Sequence, residues 1–266
     1  MKSVARRHSL FLVALTIAVL VSCTLCLAAE PEAAKPAAET VELFEGIEQG
    51  RIGVKLIPKD STQCNVLIEN KTDRPVSVQL PAAFAGVPAL AQFGGGGGAM
   101  GGGGFGGNNT GNQGFGGGMG GMGGGMGGMG GGGGGFFNVP PEKVGKLTCP
   151  AVCLEHGKKD PRPAIPYEIR PIEDCTERDG VPELLAMLGT GKFSQRAAQA
   201  AAWHLQDGLS WRQLAAKRLK FADGTSRPYF HPQELRAGMQ IATAAIRMAK
   251  QREQQEVSPG EQQAAR

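Results

Sequence analysis

Between residues 52 and 80, apolar side chains fall at every second position. Ile52, Val54 and Leu56 alternate with Gly53 and Lys55, Val66 and Ile68 follow, and Val76, Val78 and Leu80 alternate with Ser77 and Gln79. A period of two is that of a strand with one buried face. PKDS at Pro58 and NKTD at Asn70 separate the runs with turn chemistry, which predicts an antiparallel meander. Three strands in so short a stretch do not close a core. Their complement is expected in KVGKLTCPAVCLE and IPYEIRPIE, extended segments whose prolines suit sheet edges or bulges. The expectation is one antiparallel β-sandwich-like domain over 41–176.

Most of the chain's 42 glycines fall between Gly94 and Gly135, inside that domain. Glycine loses much backbone freedom on ordering and buries little, so 94–135 reads as a disordered loop inserted in the sandwich. Loop-closure entropy grows slowly with length, and its deletion is expected to leave the fold intact. Phe93, Phe105, Phe115, Phe136 and Phe137 punctuate the stretch.

After residue 176 the period lengthens. VPELLAML predicts a short helix with Pro182 in its first turn and Gly189 as its stop, and SQRAAQAAAWHLQ a second, ending near Gly208. Ser210 and Gln213 form a capping box that starts a helix over WRQLAAKRL. Pro232 opens the last helix, where Leu235, Met239, Ala242, Ile246 and Ala249 predict one apolar stripe. The predicted class is α+β, with a small helical bundle over 177–252 following the sandwich and a disordered tail over 253–266.

The N-terminus changes the setting. Lys2, Arg6 and Arg7 precede an apolar run from Leu10 to about Ala28, the form of a signal peptide over 1–29. Ala28 and Ala29 suit ordinary signal peptidase, Leu20-Val21-Ser22-Cys23 resembles a lipoprotein signal that would lipidate Cys23, and a membrane anchor is a third reading because the run approaches the ~20 residues of a span. Glu-, Ala- and Pro-rich 30–40 reads as a disordered spacer. The expected location is outside the cytoplasm: periplasm, cell envelope or medium. The net charge of +4 includes the signal's cations, and the remaining Lys and Arg are spread along the chain, so nucleic acid is not indicated as a partner.

Export makes Cys64, Cys149, Cys153 and Cys175 candidates for structural disulfides. If KLTCPAVCLE is extended, Cys149 and Cys153 lie ~13 Å apart, beyond the ~7 Å a disulfide tolerates. They would then pair with Cys64 and Cys175 in one of two ways, unless Pro150 turns the chain. A zinc site from Cys149, Cys153, His156 and Cys175 is the alternative, although the spacing is not a usual zinc pattern. Met119, Met122, Met126 and Met129 are soft thioethers on a flexible backbone and form a candidate Cu(I) site, against the simpler reading that they are variants of a glycine-rich repeat.

AQAAAWHL, from Ala198 to Leu205, is similar to the TQxA(I/V/L)W motif of thioester domains in bacterial surface adhesins, with Gln199 and Trp203 at the motif's Gln and Trp positions. That resemblance implies a bond between Gln199 and an upstream cysteine, with Cys153 and Cys175 preceding it. Ala198 and Ala202 depart from the motif. IENKTDRPVSVQLP, the glycine-rich insertion, VCLEHGK and QAAAWHL together resemble exported bacterial proteins of uncharacterised function, a resemblance that implies no activity. Among the histidines, His8 leaves with the signal, His204 sits among packing residues and His231 is at a helix start. His156 has Glu155 and Asp160 nearby but no identifiable nucleophile. The expectation is a non-catalytic structural or interaction module that binds a protein or envelope component and needs no cofactor. Cu(I) binding and thioester adhesion are the alternatives.

Overall fold

The structure is a computed structural model and describes residues 38–89, 110–117 and 135–264. The described residues belong to one compact unit. The expected signal peptide, Cys23, most of the expected spacer, and Met119, Met122, Met126 and Met129 lie outside the described residues.

The period-two runs do form strands, but they close on themselves. Strands β2 (Ile52–Pro58), β3 (Gln63–Asn70), β5 (Ala83–Pro88), β6 (Gln113–Gly116), β8 (Val144–Cys153) and β9 (Tyr167–Pro171) make a closed antiparallel barrel in the order β2-β3-β8-β6-β5-β9. The expected β-sandwich is therefore incorrect. Residues facing one another across a sandwich and residues filling a small barrel leave the same alternation, so the sequence pattern does not separate them. A second sheet joins β1 (Glu39–Glu42), β4 (Val76–Gln79) and β7 (Phe136–Val139), with β1 parallel and β7 antiparallel to β4. Val41, Val76, Val78 and Val139 from this sheet share one apolar cluster with Leu56, Val66, Phe84 and Phe115 from the barrel. A short helix, α1 (Leu43–Glu48), follows β1 and buries Leu43 and Gly46.

β6 lies inside the stretch expected to be a disordered loop, and it completes the barrel wall between β8 and β5. Its sequence, Gln113-Gly114-Phe115-Gly116, alternates for a physical reason. Phe115 points into the barrel and stacks on Phe84 at 5.2 Å between ring centres. On the other face lies helix α2 (Val181–Gly189): a Cβ on Gly114 would come within 2.7 Å of Leu185, and one on Gly116 within 2.2 Å of the Gly189 backbone nitrogen. The helix sits so close to the strand that only glycine fits beneath it.

The barrel's outer wall is covered by α2, α3 (Gln195–Asp207) and the last helix, α5 (Pro232–Ala264). Ala85, Val152 and Leu154 of the wall pack with Val181, Leu184, Leu185 and Leu188 of α2, Ala197, Ala198, Ala201 and Ala202 of α3, and Ile241, Ala242 and Ala245 of α5. The alanines let α3 and α5 approach closely, and a Cβ on Gly238 would lie 2.9 Å from the Ala197 carbonyl oxygen. The buried face of α5 accordingly includes Leu235, Ala242, Ala245 and Ala249, while Met239, expected in the stripe, is 39 % exposed. α5 also continues to Ala264 through the expected tail, whose Gln, Glu and Arg residues after 250 are good helix formers.

The capping box of Ser210 and Gln213 starts α4 (Trp211–Ala216), but the helix ends before Lys217. In place of its expected last turn, the chain forms a hairpin of β10 (Arg218–Lys220) and β11 (Ser226–Pro228). Asp-Gly at 223–224 is a strong hairpin signal, with Gly224 at φ +81°.

Candidate functional site

The seam between the barrel and the helices, where β8 ends, brings together three of the candidate residues, Cys153, His156 and Gln199. Gln199 projects from α3 and its carboxamide pairs with the backbone of Cys153 in both directions. The Cys153 N–H donates to Oε1 and Nε2 donates to the Cys153 carbonyl, each at 2.8 Å. The amide thus acts as a strand partner for the last residue of β8. Three residues on, the His156 N–H donates to both carboxylate oxygens of Asp207, at 3.2 and 3.1 Å. Glu155 accepts from the Asn112 N–H at 2.8 Å, and the Tyr167 hydroxyl, at the start of β9, donates to the Gly111 carbonyl at 2.9 Å, so two separate segments fix the chain where it enters β6.

Around Trp203 the seam becomes aromatic and cationic. The His156 ring meets Trp203 edge-on at 4.8 Å, and Tyr229 and Phe230 lie 5.4 and 5.8 Å from it. Lys217 places its ammonium 5.1 Å from the Trp203 ring and 5.2 Å from Tyr229, a cation–π arrangement. Lys217 Nζ is 2.8 Å from His156 Nε2, which fixes the ring nitrogen as acceptor when the lysine is charged. The Arg196 guanidinium donates to the Tyr229 carbonyl and pairs with Glu234 at 3.3 Å. Trp203 Nε1 is buried without a hydrogen-bond partner among the described residues.

The ionisable groups follow from this packing. Burial, reinforced by Lys217, holds the His156 imidazole below its ordinary range, with Asp207 opposing. Burial also lowers Lys217 against the pull of Asp160, and raises Asp207. The Cys153 thiol is pushed up to about 12, mainly by burial and then by the charge of Asp160. A thiol so placed is protonated at neutral pH and is not an activated nucleophile.

The four candidate cysteines are thiols in the structure, and they separate into different environments. β8 runs extended through Pro150, so Cys149 and Cys153 do not meet; Cys149 faces Cys64 across the β3–β8 ladder. Cys175 caps the short 3₁₀ turn Ile172–Asp174 and lines a polar cleft of about 560 Å³ with Glu173, Asp174 and Gln206. Burial and then the Asp174 charge raise its thiol. Among the described residues, no group of three or more His, Cys, Asp or Glu side chains is placed to hold a metal ion, so Cys149, Cys153, His156 and Cys175 do not assemble a zinc site.

Sequence reasoning missed the β10–β11 hairpin. It is exposed along almost all of both strands. Arg218 is braced by hydrogen bonds to the Ser226 hydroxyl at 3.0 Å and carbonyl at 2.9 Å. Phe221 is 45 % exposed, with the Arg227 guanidinium 5.4 Å from its ring centre. Asp223 is spent on the turn, where its carboxylate accepts from the Thr225 N–H and hydroxyl.

Among the described residues, no helix is long and apolar enough to cross a membrane. Comparison with protein-family models, with curated proteins and with solved structures finds no match to this chain.

Proposed function

We propose that the chain is an exported, non-catalytic interaction module of the cell envelope or periplasm, and that the β10–β11 hairpin is its contact surface for an acidic partner. One observation carries the reading. A two-stranded sheet this small is marginal alone and this one buries almost nothing, so packing does not account for its side chains. Arg218, Lys220 and Arg227 place positive charge on it, next to Lys217 and the exposed Phe221. An aromatic side chain with arginine is the composition of an interface anchor, and concentrated charge of one sign steers and selects an oppositely charged partner.

The seam chemistry supports a non-catalytic role. Cys153 is held as a thiol, and the amide of Gln199 and the backbone N–H of His156 are used to join the barrel to the helices. Retention on envelope fractions tests the reading. The wild-type chain is expected to be retained and to be released as ionic strength rises. The triple variant Arg218→Ser/Lys220→Ser/Arg227→Ser should lose about tenfold in retention at low salt. Equal retention of wild type and variant would contradict the proposal.

The thioester alternative gains one observation, the placement of Gln199 against Cys153. Forming that bond would join the Cys153 sulfur to the Gln199 side-chain carbonyl carbon and release ammonia, removing the donor that now satisfies the Cys153 carbonyl. The pairing of both amide groups is sufficient as a structural tie. An intact mass lighter by one ammonia, restored by methylamine treatment to a heavier adduct, would establish the thioester instead.

A further inference from the structure

Cys64 and Cys149 stand directly opposite one another in the antiparallel β3–β8 ladder. The hydrogen bonds on either side define the kind of pair. The Ala151 N–H donates to the Thr62 carbonyl at 2.7 Å, and the Asn70 N–H donates to the Lys143 carbonyl at 2.9 Å. Counting in steps of two from either end makes Cys64 and Cys149 a mutually hydrogen-bonded pair, for which the α-carbons are about 5.5 Å apart. That lies within the window of about 4.4 to 6.8 Å that a disulfide requires of its α-carbons, while the β-carbons of such a pair, about 5.5 Å apart, must close by about 1 Å for the bond to form. Both side chains point into the barrel, with exposures of 0 % and 2 %, and both belong to its apolar cluster. Burial, and then direct contact with the thiol of Cys149, push the Cys64 thiol up.

The other two cysteines among the described residues are differently placed. Cys153 is four residues along the same extended strand, about 13 Å from Cys149, and faces Gln113 of β6. Cys175 packs against the helical cluster outside the barrel wall.

We propose that Cys64 and Cys149 oxidise during folding to a disulfide across β3 and β8, while Cys153 and Cys175 remain thiols. The reaction is thiol–disulfide exchange with a protein or small-molecule disulfide as oxidant. One cysteine, as thiolate, attacks the oxidant and forms a mixed disulfide, releasing the first thiol. The second cysteine then attacks its partner's sulfur and releases the second. Two S–H bonds are lost, one S–S bond forms in the chain, two electrons pass to the oxidant's disulfide, and the two protons end on the thiols it becomes. Because the native pair is buried, exchange belongs to the stage before the barrel closes. The bond encloses about 85 residues, including all of the glycine-rich stretch, and so restricts the unfolded chain where its conformational freedom is greatest.

The test uses the purified full chain and does not depend on the proposed function or on where the protein resides. Reduced, denatured protein is refolded in a buffer of reduced and oxidised glutathione, its free thiols are trapped by alkylation in denaturant, and its peptides are mapped. A crosslink between the peptides of Cys64 and Cys149, with Cys153 and Cys175 alkylated, is expected. The crosslinked form should melt about 5 to 15 °C above the same chain refolded under reductant. The variant Cys153→Ser/Cys175→Ser keeps the proposed pair and should form the same crosslink. Folded protein with both Cys64 and Cys149 alkylated, or with Cys64 joined to Cys153 or Cys175, would overturn the proposal.

Discussion

The tightest constraints sit on single small or polar residues. Gly116 has the Gly189 backbone against the space a Cβ would fill, and backbone cannot rotate away. Gly116→Ala is therefore expected to cost about 2 to 3 kcal/mol in denaturant unfolding, whereas alanine at Gly157, whose Cβ position has nothing within 4 Å, should cost only the strain of its positive φ. Gln199→Leu keeps the volume but leaves the Cys153 N–H and carbonyl unpaired in a buried seam, an expected loss of about 2 to 4 kcal/mol by the same measurement. His156 supplies a pH dependence. Its pKa in the folded chain lies below the ordinary 6.5, so the unfolded chain binds the proton more readily. The stability it contributes is present above 6.5 and is lost as pH falls below that value toward the lowered pKa. The thermal midpoint of the wild type should therefore fall more between pH 7 and 5 than that of His156→Gln. Asp207, raised above 3.8 chiefly by burial, acts with the opposite sign, and in the variant it loses the opposing charge of His156, which adds to the difference between the two proteins.

Among the elements, β6 carries the clearest consequence. Removing 94–135 takes away a barrel strand that pairs with both β5 and β8, so that deletion should abolish the cooperative thermal transition instead of leaving it unchanged. The strands from β2 to β4 were legible because alternation reports burial on one face. Closure into a barrel was not, since it depends on pairings such as Phe84 with Pro171 and Leu56 with Tyr167 that no local pattern carries. β6 was hidden by composition: its glycines look like the repeat around them, and only their contact with α2 distinguishes Gly114 and Gly116 from filler. Helix starts at Pro182, Ser210 and Pro232 followed from cap and proline chemistry. The hairpin was masked by the helical character of WRQLAAKRL, although Asp223-Gly224 marked its turn. At the seam, His156, Gln199 and Trp203 were singled out in sequence, but their shared location was not legible, because their partners lie up to 61 residues away, as between His156 and Lys217.

Across the described residues, a closed apolar barrel packs against a close-packed layer of small-residue helices, joined at the seam by the buried pairing of Gln199 with Cys153. The basic hairpin is what this packing leaves outside. We propose that this hairpin, and not some other exposed face, meets the partner. Val144 at the start of β8 is a suitable control, since it is an apolar side chain 59 % exposed on a different element. The direct measurement is site-specific photo-crosslinking in intact cells, with a photoreactive residue replacing Phe221 in one version of the chain and Val144 in another. A discrete, heavier adduct is expected from position 221, one that disappears when Arg218 and Arg227 are also replaced by serine, and none from position 144. Equal adducts from both positions, or none from 221 in a chain that is exported and folded, would contradict the proposal.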